Sequence, residues 1–221
     1  MCKRVLFVLC VLLLVAGHAI AAPITIIAPK TQACNIHNIA PDTNYNTWNL
    51  FIGWDSGGQI MDALLQFDIS AIPAGMVITD AKFYYADYWN SSPPEQLPLY
   101  AEVHEATNAW NAATETWNSY KGKGNPGYDS AVLGLADFDT IGTWVMKDVS
   151  GLAGLVQNWL DTGTNNGIYL KLDTVNAGYW CQTTSTWPAG TYPYMEITYI
   201  PEPATIGLLS LGAIVLYRRR K

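Results

Sequence analysis

Seventeen carboxylates stand against six lysines and no arginine between residues 23 and 200, a formal charge of −11. Carboxylates in pairs hydrolyse glycosides when two of them sit at a set separation, and a sequence does not carry that separation. The other catalytic groups are sparse. His37 and His104 are the two histidines of this stretch, each far in sequence from any clear partner. There is no Gly-x-Ser-x-Gly elbow, no His-Glu-x-x-His, no phosphate loop and no Gly-x-Gly-x-x-Gly. The residues therefore favour a protein that is not an enzyme, with a polysaccharide-processing glycosidase or lyase as the catalytic alternative. Nucleic acid is excluded as a partner, because its phosphates require a basic footprint that this stretch lacks.

Aromatic side chains are in excess. All nine Trp fall between the two ends of the chain. Trp144 leads a strand-like run and Trp159 lies on a helix-like apolar face, and both are expected in the core, as are Trp110 and Trp117. Trp48, Trp54, Trp89, Trp180 and Trp187 are flanked instead by Asn, Asp, Ser, Thr, Gly or Pro. Rings in such turn-rich settings, beside amide and hydroxyl groups, can stack on the flat faces of sugars. These five are the candidate polysaccharide contacts, the alternative for each being to plug an end of the domain.

No cofactor is required by these residues, but one loop has oxygen at alternate positions. Asp42, Asn44 and Asn46, with Asp55 further on, could give side-chain oxygens to a structural calcium ion, which takes six to eight of them. The EF-hand pattern fails, since Thr47 stands where Gly is needed and Gly53 where Glu is needed. The competing reading is an Asx-type turn. Of four Cys, Cys34 and Cys181 lie beyond the N-terminal 21 residues. In an exported chain they are expected to form a disulfide, and closing a loop of 147 residues stabilises by up to about 5 kcal/mol.

Short β-rich runs of period two, separated by turn clusters, must position these groups. Strands are expected near Gln32 to Ile36, Trp48 to Gly53, Ala63 to Ile69, Ile78 to Tyr88, Leu97 to Glu105, Thr143 to Val149, Gly167 to Asp173, Gly178 to Thr184 and Tyr192 to Ile200. Leu152, Leu155, Val156 and Trp159 have helical spacing, so one short helix is expected, capped by Ser150 and stopped by Asp161-Thr162-Gly163. Lys121 to Tyr128 reads as a loop.

The ends have their own grammar. Met1-Cys2-Lys3-Arg4, the apolar run Val5 to Ala16 and the small-residue segment Ala19-Ile20-Ala21-Ala22 make residues 1–21 a signal peptide cleaved after Ala21. At the other end, Pro201-Glu202-Pro203 precedes an apolar stretch from Ala204 to Tyr217 and the basic run Arg218 to Lys221. Residues 201–221 resemble the PEP-CTERM sorting signal of exported bacterial proteins. The resemblance implies processing near Pro201, Glu202 and Pro203 by an exosortase after transient anchoring of the apolar helix in the inner membrane. A plain membrane tail is the alternative.

The stretch between, residues 22–200, is read as one domain. Its motifs run in the order Asn49-Leu50-Phe51-Ile52-Gly53, Ala63-Leu64-Leu65-Gln66-Phe67-Asp68-Ile69-Ser70, Ile72-Pro73-Ala74-Gly75, Ile78-Thr79-Asp80-Ala81-Lys82-Phe83 and Thr114-Glu115-Thr116-Trp117-Asn118. Asp148-Val149-Ser150, Val156-Gln157-Asn158-Trp159 and Asn166-Gly167-Ile168 follow. This series resembles the DNRLRE domain, related to the disaggregatase repeat and to carbohydrate-binding module family 96, although the Asp-Asn-Arg-Leu-Arg-Glu string itself is absent. The resemblance implies an all-β, jelly-roll-like β-sandwich with a carbohydrate-associated role. The expectation is a secreted protein of the cell surface or extracellular matrix that binds extracellular polysaccharide. A purely structural matrix or envelope protein is the alternative.

Overall fold

In the computed structural model the described residues are 22–46, 49–54, 57–87, 98–123, 126–140, 145–172, 179–184 and 192–201, the side chains of 54 and 179–184 excepted. Ten strands are defined: β1 (Ile24–His37), β2 (Asn49–Trp54), β3 (Ile60–Phe67), β4 (Met76–Asp87), β5 (Leu99–Glu105), β6 (Gly134–Phe138), β7 (Val145–Val149), β8 (Ile168–Leu172), β9 (Tyr179–Thr184) and β10 (Tyr194–Pro201). Two helices, α1 (Trp117–Lys121) and α2 (Ala153–Thr162), complete the elements. Every pairing is antiparallel, in the order β6-β5-β8-β3-β1-β10-β4-β7, and the β2–β9 ribbon joins through β3.

β1 makes this a sandwich. Its first half, rich in β-branched residues, pairs with β10 from Ile24 to Pro29. Its second half pairs with β3 from Lys30 to His37, with a register shift between Lys30 and Gln32. Pro29, which has no N–H to give to a ladder, stands at the handover. The bulge beside it bends the strand from one sheet into the other. The sequence reading placed this strand only from Gln32, and so missed the half that links the sheets. β6, absent from that reading, edges the second sheet against β5.

The main core lies between the layers. Ala81, Phe83 and Tyr85 of β4 and Met195 and Ile197 of β10 face Leu65, Phe67, Val103, Phe138 and Leu170. In β4 the odd positions 81, 83 and 85 point inward, while Tyr84, partly exposed, stacks on Tyr194 with centroids 4.7 Å apart. α2 seals one end through Leu155, Val156 and Trp159. Gln157 fastens it to β4, accepting from the Ile78 N–H at 2.8 Å. The expected Ser150 cap is not formed. Leu152 is the N-cap residue, its aliphatic side chain has no acceptor for a cap bond, and its own N–H donates to the Ala81 carbonyl at 3.1 Å. Gly163, at φ 67°, ends the helix in the left-handed conformation.

Candidate functional site

The central strands of the second sheet, β1, β3 and β8, are buried on both faces, while Tyr100 of β5 and Leu135 of β6 stay exposed. On its outer face Cys34, Ile36, Leu64 and Tyr169 meet Ala106, Trp110, Ala112 and Tyr120, with Trp117 and Tyr128 at the margin. The cover is the segment from Ala106 to Tyr128, part of which reads as loop in the sequence. Its turn of helix, α1, starts with a capping box, since Thr116 accepts from the Ser119 N–H and the Ser119 hydroxyl accepts from the Thr116 N–H. Buried Glu115 holds the preceding bend, bonded to the Asn111 N–H at 3.3 Å and to Ser119 Oγ at 2.5 Å. Trp110 donates through Nε1 to the Asn166 carbonyl at 2.7 Å.

α1 delivers Lys121 onto a polar cluster in this otherwise apolar layer. Lys121 Nζ lies 3.5 Å from Asp62 Oδ2 and donates to the Tyr169 hydroxyl, which itself donates to Asp62 Oδ2. Three rings surround the ammonium, with centroids 5.0 Å (Trp117), 5.1 Å (Tyr128) and 4.5 Å (Tyr169) away. Asp62 is 5 % exposed and Lys121 22 %. Burial pushes the Asp62 carboxyl above its ordinary value, against the pull of Lys121 and Tyr169. Burial likewise lowers the Lys121 amine, with Asp62 opposing. The Tyr169 phenol is raised well above its usual range by burial and by Asp62. Beside this group, Glu102 pairs with Lys171 and with His104, whose Nε2 is 3.0 Å away. His104 packs against Tyr128 with the rings tilted by 49° and centroids 4.7 Å apart.

Two of the candidate polysaccharide residues fall on the β2–β9 ribbon. Trp54 ends β2 and Trp180 is in β9, at consecutive register positions, Trp54 opposite Tyr179 and Gly53 opposite Trp180. Trp48, Trp89 and Trp187 lie outside the described residues, as does Trp144 of the expected core set. Trp110 and Trp159 are buried as expected. Trp117, expected in the core, is half-buried over Lys121.

Of the calcium candidates, Asn44 donates to the carbonyls of Ala112 (2.9 Å) and Glu115 (2.7 Å), and its Oδ1 accepts from the Asn46 N–H at 3.3 Å in an Asx turn. Asp42 Oδ1 accepts from Asn118 Nδ2 at 2.8 Å. The loop thus ties β1 to the α1 cover. Asp55 lies outside the described residues, and among those described no three His, Cys, Asp or Glu side chains gather as metal ligands.

The expected Cys34–Cys181 disulfide is not found: Cys34 is a free thiol. It faces the outer cluster, whereas Cys181 is registered against Ile52, a residue of the main core between the sheets. Burial, and then the negative Glu115, push the Cys34 thiol up to about 12. Residues 1–21, expected to be a signal peptide, and residues 202–221 lie outside the described residues, with Pro201 closing β10 opposite Met76.

Comparison with known proteins decides the C-terminal end. Residues 200–221 match the PEP-CTERM protein-sorting motif. The motif is the recognition signal of exosortase processing and marks an exported protein sorted to the surface. No helix among the described residues is long and apolar enough to cross a membrane. No curated protein matches the chain. Among solved structures, the K1 cleaved adhesin domain of Lys-gingipain from Porphyromonas gingivalis W83 aligns over 80 % of this chain and 97 % of that one, at 14 % identity and a TM-score of 0.29.

Proposed function

We propose that the exported sandwich binds an extracellular polysaccharide without cleaving it, its signal peptide removed and its PEP-CTERM helix anchoring it in the inner membrane until an exosortase acts. The five Trp in turn-rich settings support this reading most directly; two of them, Trp54 and Trp180, belong to the β2–β9 ribbon, one register step apart and so at positions on alternate faces. That ribbon joins the sheet through β2. Stacking on one ring is worth about 1 kcal/mol. A few rings give weak single-site binding, which many copies on one surface raise by avidity. The acidic surface suits an uncharged or cationic polymer.

A structural matrix role without a glycan is the second reading, supported by Tyr120 and Tyr169, which show that part of the aromatic excess goes into packing. Retention on immobilised polysaccharides separates the two. Trp54→Ala and Trp180→Ala are expected to lose retention and keep near-native thermal stability. Trp159→Ala, which empties a fully buried site, is expected to cost about 3–5 kcal/mol. Absence of retention by the wild type on any polysaccharide tested leaves the structural role.

A further inference from the structure

The outer-face cluster holds the components of a condensation reaction. Lys121 is carried on α1, whose start is pinned by the capping box, and Asp62 is on β3 between β1 and β8. Their functional groups are 3.5 Å apart, with a buried phenol in contact with both. The other amine nearby, Lys171, is occupied by Glu102. Trp117, Tyr128 and Tyr169 ring the amine of Lys121, whose side chain is 22 % exposed, while Asp62 is 5 % exposed, so water, the product a condensation must release, is kept from the carboxyl end.

We propose that Lys121 and Asp62 join in an intramolecular amide, cross-linking α1 to β3 across the outer face of the sandwich. The hydrogen-bond chain runs from the Lys121 ammonium to the Tyr169 oxygen and from the Tyr169 hydroxyl to Asp62 Oδ2. A concerted shift along it moves one proton from nitrogen to carboxylate and leaves Tyr169 unchanged. Amine and acid are then both neutral, the forms that burial favours for each. The nitrogen lone pair attacks Asp62 Cγ, forming the C–N bond. The nitrogen then gives up a proton, which Tyr169 passes to the departing Oδ2 hydroxyl, and the C–O bond breaks with release of one water. Nothing is oxidised or reduced, and no co-reactant enters.

Peptide mapping of the full chain recovered from the cell surface tests this. The expected product is one branched peptide joining the residue 62 and residue 121 regions, lighter by one water and uncleaved by trypsin after Lys121. Lys121→Arg keeps the cation and is expected to abolish the branch. Asp62→Asn is expected to give the same branched product as the wild type, by losing ammonia in place of water. Tyr169→Phe is expected to slow closure while circular dichroism stays native. Wild-type protein that yields two separate peptides, with cleavage after Lys121, overturns the proposal whatever the variants do.

Discussion

Glu102 is half of a charged pair that the surrounding residues make pH-sensitive. Burial alone would raise its carboxyl, but hydrogen bonds from Lys171 and His104 outweigh that and hold it below its ordinary 4.5. A carboxyl lowered by folding contributes stability that is complete above the unfolded value and lost as pH falls through the lower folded one. Glu102→Gln is therefore expected to lower stability near neutral pH by on the order of 1 kcal/mol. The variant should also show a shallower loss of stability below pH 4.5, read from urea unfolding across a pH series. Cys34 illustrates a residue whose chemistry the fold suppresses: a buried thiol raised to about 12 stays protonated, and the thiolate is the reactive form.

At the scale of elements, the turn entering β8 shows how a short motif acts through geometry. Asn165 Nδ2 donates to the Phe67 carbonyl at 2.9 Å and its Oδ1 accepts from the Gly167 N–H at 3.0 Å, which sets φ at 82° for Gly167. A Cβ there would lie 2.0 Å from the Leu65 carbonyl oxygen. Gly167→Ala is expected to cost about 2–5 kcal/mol, combining the left-handed penalty with backbone overlap. Gly163→Ala meets nothing within 4 Å at φ 67°, and so is expected to cost about 1–2 kcal/mol. Denaturant unfolding of the two variants side by side separates conformational strain from crowding. Asn166-Gly167-Ile168 was visible as a motif in the sequence. Its role was not, because the carbonyl that forbids a side chain belongs to β3, about a hundred residues earlier.

For the whole molecule, the sorting motif begins where the sandwich ends. Pro201 closes β10, which lies between β1 and β4, so a cut beyond that residue leaves the domain's last strand complete. Protein recovered from the surface is expected to lack Arg218 to Lys221 by intact mass. Retention of those four residues would make the tail a plain membrane anchor and remove the exosortase from the account.

The all-β class, the α2 helix, the sorting motif and the burial of Trp159 were all readable along the chain. Each follows from local periodicity, local composition or a contiguous string, which a sequence displays directly. Three things belong to the tertiary structure alone. The handover of β1 between sheets depends on partners on both sides of Pro29. The outer face of the second sheet is covered by a segment whose Lys121-to-Tyr128 stretch is polar and glycine-rich enough to read as loop. Asp62, Lys121 and Tyr169 meet across separations of 59 and 48 residues, with ordinary neighbours in sequence. Cys34 marks the converse, since two cysteines in an exported chain suggest a bond by count, while the burial of Cys34 in the outer cluster is settled by the packing around its strand.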